Sequence, residues 1–134
     1  MYLFLKNPNF FKSAGSISGG LDIIKFAGQW NIYKVLGKFK TNRKRWEEHS
    51  DFYLLKNIKW THRPIIISCG TEDFSYSMSE RFADSSKSSG IAVTFFHSPG
   101  SHSYAYWKKA VPKHFEFFHQ LLNKKIIRQD MLFK

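Results

Sequence analysis

Two residues of this sequence, Asp73 and His102, have the types and the spacing that acid–base chemistry could use. Asp73 follows the apolar run 64–69, and His102 follows a second apolar run, 91–96. A carboxylate that accepts the N–H of an imidazole fixes its tautomer, so the other ring nitrogen can act as a general base. Taken alone, each residue is more often an ordinary loop residue, and only their pairing favours a functional site.

The segments between and around these two residues read as strand, helix, strand. Residues 64–69 are rich in β-branched side chains, residues 77–89 form a polar segment that Gly90 would close as a helix C-terminal glycine, and residues 91–96 are again apolar. A right-handed crossover makes such strands parallel neighbours, with the following turns at one carboxyl edge of the sheet. Open α/β sheets bind ligands at this edge. The pattern therefore predicts an α/β fold with the acid and the histidine on adjacent loops.

The two loops resemble the motifs of a known esterase family. The acid motif reads CGTEDF from Cys69, and the histidine motif reads SPGSHSYAYW from Ser98. Both are similar to motifs of the α/β-hydrolase esterases that include esterase D, S-formylglutathione hydrolases, feruloyl and acetyl-xylan esterases and mycolyltransferases. Residues 6–22 are similar to the segment that follows the nucleophile helix of this family. The resemblance covers residues 1–123 and leaves 124–134 as a basic tail.

The resemblance implies a serine carboxylic-ester hydrolase in which Asp73 is the triad acid and His102 the base. It also implies the C-terminal part of an α/β-hydrolase fold, with about three parallel strands flanked by helices. The substrate would be a small-molecule or polysaccharide-linked ester. Four side chains would contact it: Asp22, Trp30, Phe74 and Trp107. The aspartate could instead be a turn or capping residue, and aromatic residues at this density could instead belong to the core.

The nucleophile motif of the family does not occur in these 134 residues. In such hydrolases the serine lies on a strand-to-helix turn written G-x-S-x-G, and the chain order is serine, acid, histidine. The string that starts at Gly15 fails because its third residue is Ile17, and the string that starts at Ser16 lacks the first glycine. Matching residues 2–8 to the end of the nucleophile helix predicts a C-terminal fragment, inactive alone, with the serine roughly ten codons upstream of Met1.

Two other classes of function remain open. A noncatalytic module, or pseudoenzyme, could hold a carbohydrate or an aryl ester in the same aromatic pocket without chemistry. A nucleic-acid-associated protein is less favoured, although the cations at positions 34, 38, 40, 43, 44 and 45 supply much of the formal net charge of +11. No nucleic-acid fold signature accompanies this basic run, and a solvated basic face is the ordinary interpretation.

Composition and length fit one domain. The 134 residues are 43% hydrophobic and 18% aromatic, which is enough apolar material for a core. No run is long enough to span a membrane, and the apolar start is too short for a signal peptide, so the chain as written is predicted to be cytoplasmic; a longer parent could be secreted or periplasmic. No cofactor is expected, and no metal, because no histidine has a partner at ligand spacing. The single cysteine, Cys69, is predicted to be buried and inert.

Several local elements are predicted from pattern alone. A strand is expected within residues 10–17, and short helices are expected at 31–36 and 43–48. The last helix is expected to have Pro112 in its first turn and one core-facing stripe, formed by Val111, Phe115, Phe118 and Leu122. If half of a larger sheet is missing, one strand edge and one apolar face would be uncovered, and self-association is expected.

Overall fold

The computed structural model describes the backbone of residues 1–7, 9–58 and 63–132, and the side chains of these residues as far as Asn123. The described residues contain one three-stranded sheet of order β1-β2-β3, in which both neighbouring pairs are parallel. The strands are β1 (Ala14–Ile17), β2 (Ile65–Gly70) and β3 (Val93–Ser98). The prediction of an α/β fold with about three parallel strands is confirmed.

Six helices accompany the strands in the described part of the chain. They are α1 (Tyr2–Lys6), α2 (Tyr33–Leu36), α3 (Arg43–Glu48), α4 (Asp51–Lys56), α5 (Tyr76–Ser88) and α6 (Tyr104–Leu132), with 3₁₀ turns at Ile23–Phe26 and Phe39–Thr41. Helix α5 is the crossover from β2 to β3, whereas α2, α3 and α4 belong to the long connection between β1 and β2. None of the described helices is long and apolar enough to cross a bilayer.

The central strand β2 forms the middle of the core because both of its faces are covered. All six of its residues are buried, as expected of a β-branched run in a parallel sheet. Alternate side chains point to opposite faces. Ile65 and Ile67 join the apolar cluster that contains Phe82 of α5, while Ser68 points to the opposite face and contacts α6.

Helix α5 ends as the sequence predicts, within one residue. Gly90 has a φ of +80°, a conformation that favours glycine. The N–H of Gly90 donates to the carbonyl of Lys87, and the N–H of Ile91 donates to the carbonyl of Ser86, so the last turn is capped by the chain that leaves it. Strand β3 begins at Val93, two residues later than predicted, since its pairing with β2 starts only there.

The predicted orientation of the last helix is wrong. Helix α6 begins at Tyr104, so Pro112 lies inside it rather than in its first turn. Three residues of the predicted core stripe are exposed: Val111 (39%), Phe115 (72%) and Leu122 (62%). The side that is buried instead carries Tyr106, Ala110 and His114, which recur every four residues.

Glycines in the sheet region set the rotation of α6. A Cβ added to Gly15 of β1 would lie 2.6 Å from Nδ1 of His114, and one added to Gly100 would lie 2.9 Å from Cδ2 of Tyr106. Two large side chains of α6 therefore pack into spaces that only glycine leaves open. Because this fit involves distant segments, the apolar pattern of the helix alone does not reveal it.

The remaining boundaries differ modestly from the predictions. Strand β1 is shorter than 10–17, the helix at 43–48 is confirmed, and the helix predicted at 31–36 covers Tyr33–Leu36. Residues 124–132 of the predicted basic tail continue the backbone of α6, and residues 133–134 lie outside the described residues. Within the described residues, β1 pairs with β2 alone, so its other edge carries no strand.

Candidate active site

Asp73 and His102 meet at the carboxyl edge of the sheet. Asp73 lies on the loop after β2 and His102 on the loop after β3, and Nδ1 of the imidazole is 3.0 Å from Oδ2 of the carboxylate. The side chain of Asp73 has no exposed area, whereas that of His102 is 38% exposed. The carboxylate therefore accepts Nδ1–H from inside the protein, and the imidazole lies between it and the surface.

The other carboxylate oxygen of Asp73 is held by Ser75. Oδ1 accepts the backbone N–H of Ser75 at 2.9 Å and its hydroxyl at 2.7 Å. An aspartate that accepts the N–H two residues further on forms an Asx turn, and here that turn leads into α5. The sequence Asp73-Phe74-Ser75 carried this signal, but the sequence analysis did not assign Ser75 a role.

The surroundings of Asp73 favour its ionised form. Burial alone raises the pKa of the carboxyl, but the two hydrogen bonds from Ser75, the nearby Ser18 hydroxyl and the charge of His102 together lower the pKa below its ordinary value. The hydroxyl of Ser18 acts by proximity, because it makes no hydrogen bond of standard geometry. A buried carboxylate that stays ionised can orient His102 and stabilise its protonated form.

Two glycines bring the acid loop and the histidine loop together. A Cβ on Gly70 would lie 2.0 Å from the carbonyl oxygen of Gly100. Next to this contact, the N–H of Thr71 donates to the carbonyl of Ser98, and the N–H of Glu72 donates to that of Gly100, both at 3.1 Å. The loops are thus fixed to each other by backbone groups, so the relative position of the Asp73 and His102 backbones does not depend on flexible side chains.

Aromatic rings surround the imidazole of His102. The ring of Phe74 lies 4.8 Å from it, and Trp107 meets it edge to face at 5.2 Å. Tyr104 packs against Trp107 at 5.0 Å. Phe74 is 62% exposed and Tyr104 is 77% exposed. Two of the four predicted substrate contacts, Phe74 and Trp107, therefore lie beside the predicted base.

The other two predicted contacts lie elsewhere. Asp22 is 3.9 Å from the guanidinium of Arg81 and lines a cleft of about 650 Å³ with residues of α4 and α5. Trp30 stacks on Phe26 and lines a separate cleft. Neither of these two clefts is lined by Asp73 or His102. Contact of Asp22 or Trp30 with the substrate therefore stays a prediction.

Solved structures with the same architecture identify the fold. An S-formylglutathione hydrolase from Staphylococcus aureus matches with a TM-score of 0.69 and 23% identity, covering 87% of this chain and 48% of its own. A ferulic acid esterase matches with a TM-score of 0.58 and 15% identity, covering 87% and 44%. An acylaminoacyl peptidase from Pyrococcus horikoshii matches with a TM-score of 0.60 and 22% identity, covering 77% and 18%.

This chain has the α/β-hydrolase fold. It spans about half the length of the first two of these structures. No protein-family model and no curated protein sequence matches it. The likeness therefore concerns the fold alone.

No serine hydroxyl in the described part of the chain is hydrogen-bonded to Nε2 of His102, and the only side-chain hydrogen bond of this histidine there is the one to Asp73. Ser18, just after β1, has a φ of +49° and a buried hydroxyl, but it lies on the acid side of the pair. Cys69 is fully buried, and burial raises the pKa of its thiol, as expected of an inert cysteine.

The described part of the chain contains no group of three or more His, Cys, Asp or Glu side chains arranged to hold a metal ion. Two cations of the basic run between positions 34 and 45 pair with acidic side chains of the same helix, α3. Arg43 pairs with Glu47 at 2.9 Å, and Lys44 with Glu48 at 3.9 Å.

Proposed function

We propose that residues 1–134 carry the acid and the base of a serine carboxylic-ester hydrolase. The observation that supports this most strongly is the 3.0 Å contact between a buried carboxylate and a partly exposed imidazole at the carboxyl edge of an α/β-hydrolase sheet. A structural ion pair would not require the histidine to face solvent. A general base does require it, because Nε2 must reach the nucleophile and the substrate.

The proposed reaction follows from the tautomer that Asp73 selects. A serine hydroxyl attacks the ester carbonyl while Nε2 of His102 removes its proton, and Asp73 stabilises the imidazolium. The C–O bond to the leaving alcohol breaks as Nε2 returns the proton to that alcohol, which leaves an acyl-serine. Water, deprotonated by the same nitrogen, then releases the carboxylic acid and restores the serine.

In this proposal the serine and the oxyanion-hole donors come from a segment outside residues 1–134. The support is the absence of a G-x-S-x-G string from the sequence, together with a matched length of about half of each esterase structure. The free edge of β1 is where further strands of such a sheet would pair. Residues 1–134 alone should accordingly show almost no ester hydrolysis.

We assign the acyl or aryl part of the ester to the aromatic rings beside His102. The ring centroids of Phe74 and Trp107 lie 4.8 and 5.2 Å from that of the imidazole, and the exposed Phe74 offers a face to an apolar group. Small-molecule and polysaccharide-linked esters both fit this surface. Asp22 and Trp30 would reach only parts of a substrate that lie far from the scissile bond.

A serine-directed fluorophosphonate tests whether the nucleophile is outside these residues. The expected result with residues 1–134 is no stoichiometric labelling and no turnover of para-nitrophenyl acetate. Stoichiometric labelling of Ser16 or Ser18 would contradict the proposal, because a competent nucleophile would then lie within the chain. The variants Ser16→Ala and Ser18→Ala identify which serine is responsible.

A noncatalytic binding module is the second candidate, and the exposed rings of Phe74 and Tyr104 favour it. Such rings can stack on a sugar or an aryl group without any reaction. The module would bind an oligosaccharide or a feruloyl ester without turnover, and His102→Gln would leave its affinity unchanged. Loss of affinity only on Phe74→Ala, with no activity in any longer form of the protein, would favour this candidate over the hydrolase.

A further inference from the structure

A second cleft, whose lining includes neither Asp73 nor His102, contains a buried carboxylate that interacts by charge with the α-ammonium of Met1. The cleft has a volume of about 310 Å³ and lies between α1, the segment after β1 and the start of α4. Asp51, the first residue of α4, lines it and is only 9% exposed. Its Oδ1 atom is buried and receives no hydrogen bond from any described residue.

Burial makes the ionised form of Asp51 unfavourable. Burial raises the pKa of its carboxyl to about 6, although the α-ammonium of Met1 acts in the opposite direction. The group is therefore mainly ionised at neutral pH. The charge of the Met1 α-ammonium lowers the cost of ionising Asp51, but Oδ1 still accepts no hydrogen bond from a described residue, and a buried acceptor without a donor is costly.

The walls of the cleft are aromatic. Trp30 stacks on Phe26 with ring centroids 4.3 Å apart, and Tyr2 stacks on His49 at 5.4 Å. Trp30 is 62% exposed and has a φ of +51°, a conformation that bulky side chains rarely adopt. A large ring held at the surface in an unfavourable backbone conformation suggests a binding role.

We propose that this cleft binds a primary ammonium group carried on a flat apolar body, with Asp51 as the acceptor and Phe26 and Trp30 as the aromatic wall. The carboxylate supplies the charge and the acceptor that an ammonium needs, and the ring faces attract the same positive charge. An anion would be repelled by Asp51. This inference does not depend on ester hydrolysis.

Three probes of similar shape separate charge from shape. Isothermal titration at pH 7.5 would compare 2-phenylethylammonium with neutral 2-phenylethanol and anionic 3-phenylpropanoate. The ammonium is expected to bind at least about tenfold more tightly than the alcohol, and the anion is expected not to bind. Equal affinity for the ammonium and the alcohol would overturn the proposal.

Asp51→Asn is the decisive variant, because it removes the charge and keeps the shape. It should reduce affinity for the ammonium about tenfold and leave affinity for the alcohol unchanged. Asp84→Asn is the matched control, since the side chain of Asp84 is 68% exposed and pairs with Lys87 on another surface. If both variants lowered the affinity for the ammonium equally, the attraction would come from the overall charge of the protein rather than from Asp51, and the proposed site would be refuted. Trp30→Ala should lower the affinity for both the ammonium and the alcohol.

The titratable groups around Asp51 define a further check. They are the Met1 ammonium, the Tyr2 phenol on α1 and the His49 imidazole before α4. Ammonium affinity should fall as pH is lowered through about 6, where Asp51 takes up a proton, and Asp51→Asn should abolish this dependence.

Discussion

Replacing Gly70 by alanine should separate the acid from the histidine. The added Cβ would lie 2.0 Å from the carbonyl oxygen of Gly100, whereas ordinary van der Waals contact begins at 3.4 Å. The two loops must therefore move apart by about 1.4 Å. The Asp73–His102 contact is 3.0 Å in the native protein, and a shift of this size carried to the two side chains takes it beyond hydrogen-bonding distance.

The expected energetic cost is roughly 1–3 kcal/mol, the usual range for forcing an extra methyl group into a packed site. Urea unfolding measures this cost, and the ¹⁵N and ¹H resonances of the His102 ring report whether Nδ1–H is still hydrogen-bonded. Gly28→Ala is the matched control, because a Cβ there meets nothing within 4 Å. If Gly70→Ala left the Nδ1 proton as protected and as far downfield as in the native protein, the glycine contact would not be what positions the pair.

Three further predictions concern stability and assembly. Ser75→Ala removes the 2.7 Å hydrogen bond to Asp73 and should lower the stability by roughly 1–2 kcal/mol at pH 7. Because the lowered pKa of Asp73 stabilises the fold above pH 3.8, acid unfolding of the variant should occur at higher pH, and an unchanged midpoint of acid unfolding would contradict this. Asp51 behaves oppositely: its pKa is raised from 3.8 to about 6, so the stability of the fold falls as pH rises through this window. Urea unfolding at pH 7 should therefore show Asp51→Asn to be more stable than the native protein by up to about 3 kcal/mol. The control Asp84→Asn should change the stability little. The free edge of β1 and the exposed Phe115 on α6 should cause concentration-dependent association in sedimentation experiments, which Phe115→Glu should reduce; a monomer with a cooperative unfolding transition at high concentration would argue against it.

The central part of the fold could be predicted because each of its signals is local. Residues 64–69 contain a short β-branched run typical of a buried strand, and Gly90 is the residue type that closes a helix, as its positive φ after α5 confirms. In two parallel strands joined by a crossover, the loops that follow the strands lie at the same carboxyl edge of the sheet. This topology places Asp73 near His102 without further information. The acid–base pair follows from topology more than from any single residue.

The features that could not be predicted depend on contacts between distant segments. Helix α6 has apolar residues on more than one side, and its rotation is decided by the space above Gly15 and Gly100. The long connection between β1 and β2 has weak periodicity, so its path, which places Asp22 and Trp30 in two clefts that His102 does not line, was not visible in the pattern. Asp51 looks like an ordinary residue of a helix first turn, and only tertiary packing buries it.

The pairing of Asp73 with His102 as the acid and base of an ester hydrolase is tested most directly by restoring the proposed nucleophile. The chain would be extended upstream with its own coding sequence to include a G-x-S-x-G string, and hydrolysis of para-nitrophenyl acetate would be measured. The extended protein should turn over the ester, and His102→Ala and Asp73→Asn should each lower kcat on the order of 10⁴-fold. Glu72→Gln, a change at an exposed neighbour of Asp73, should have little effect. Absence of such a string upstream, or an undiminished rate in His102→Ala, would contradict the assignment.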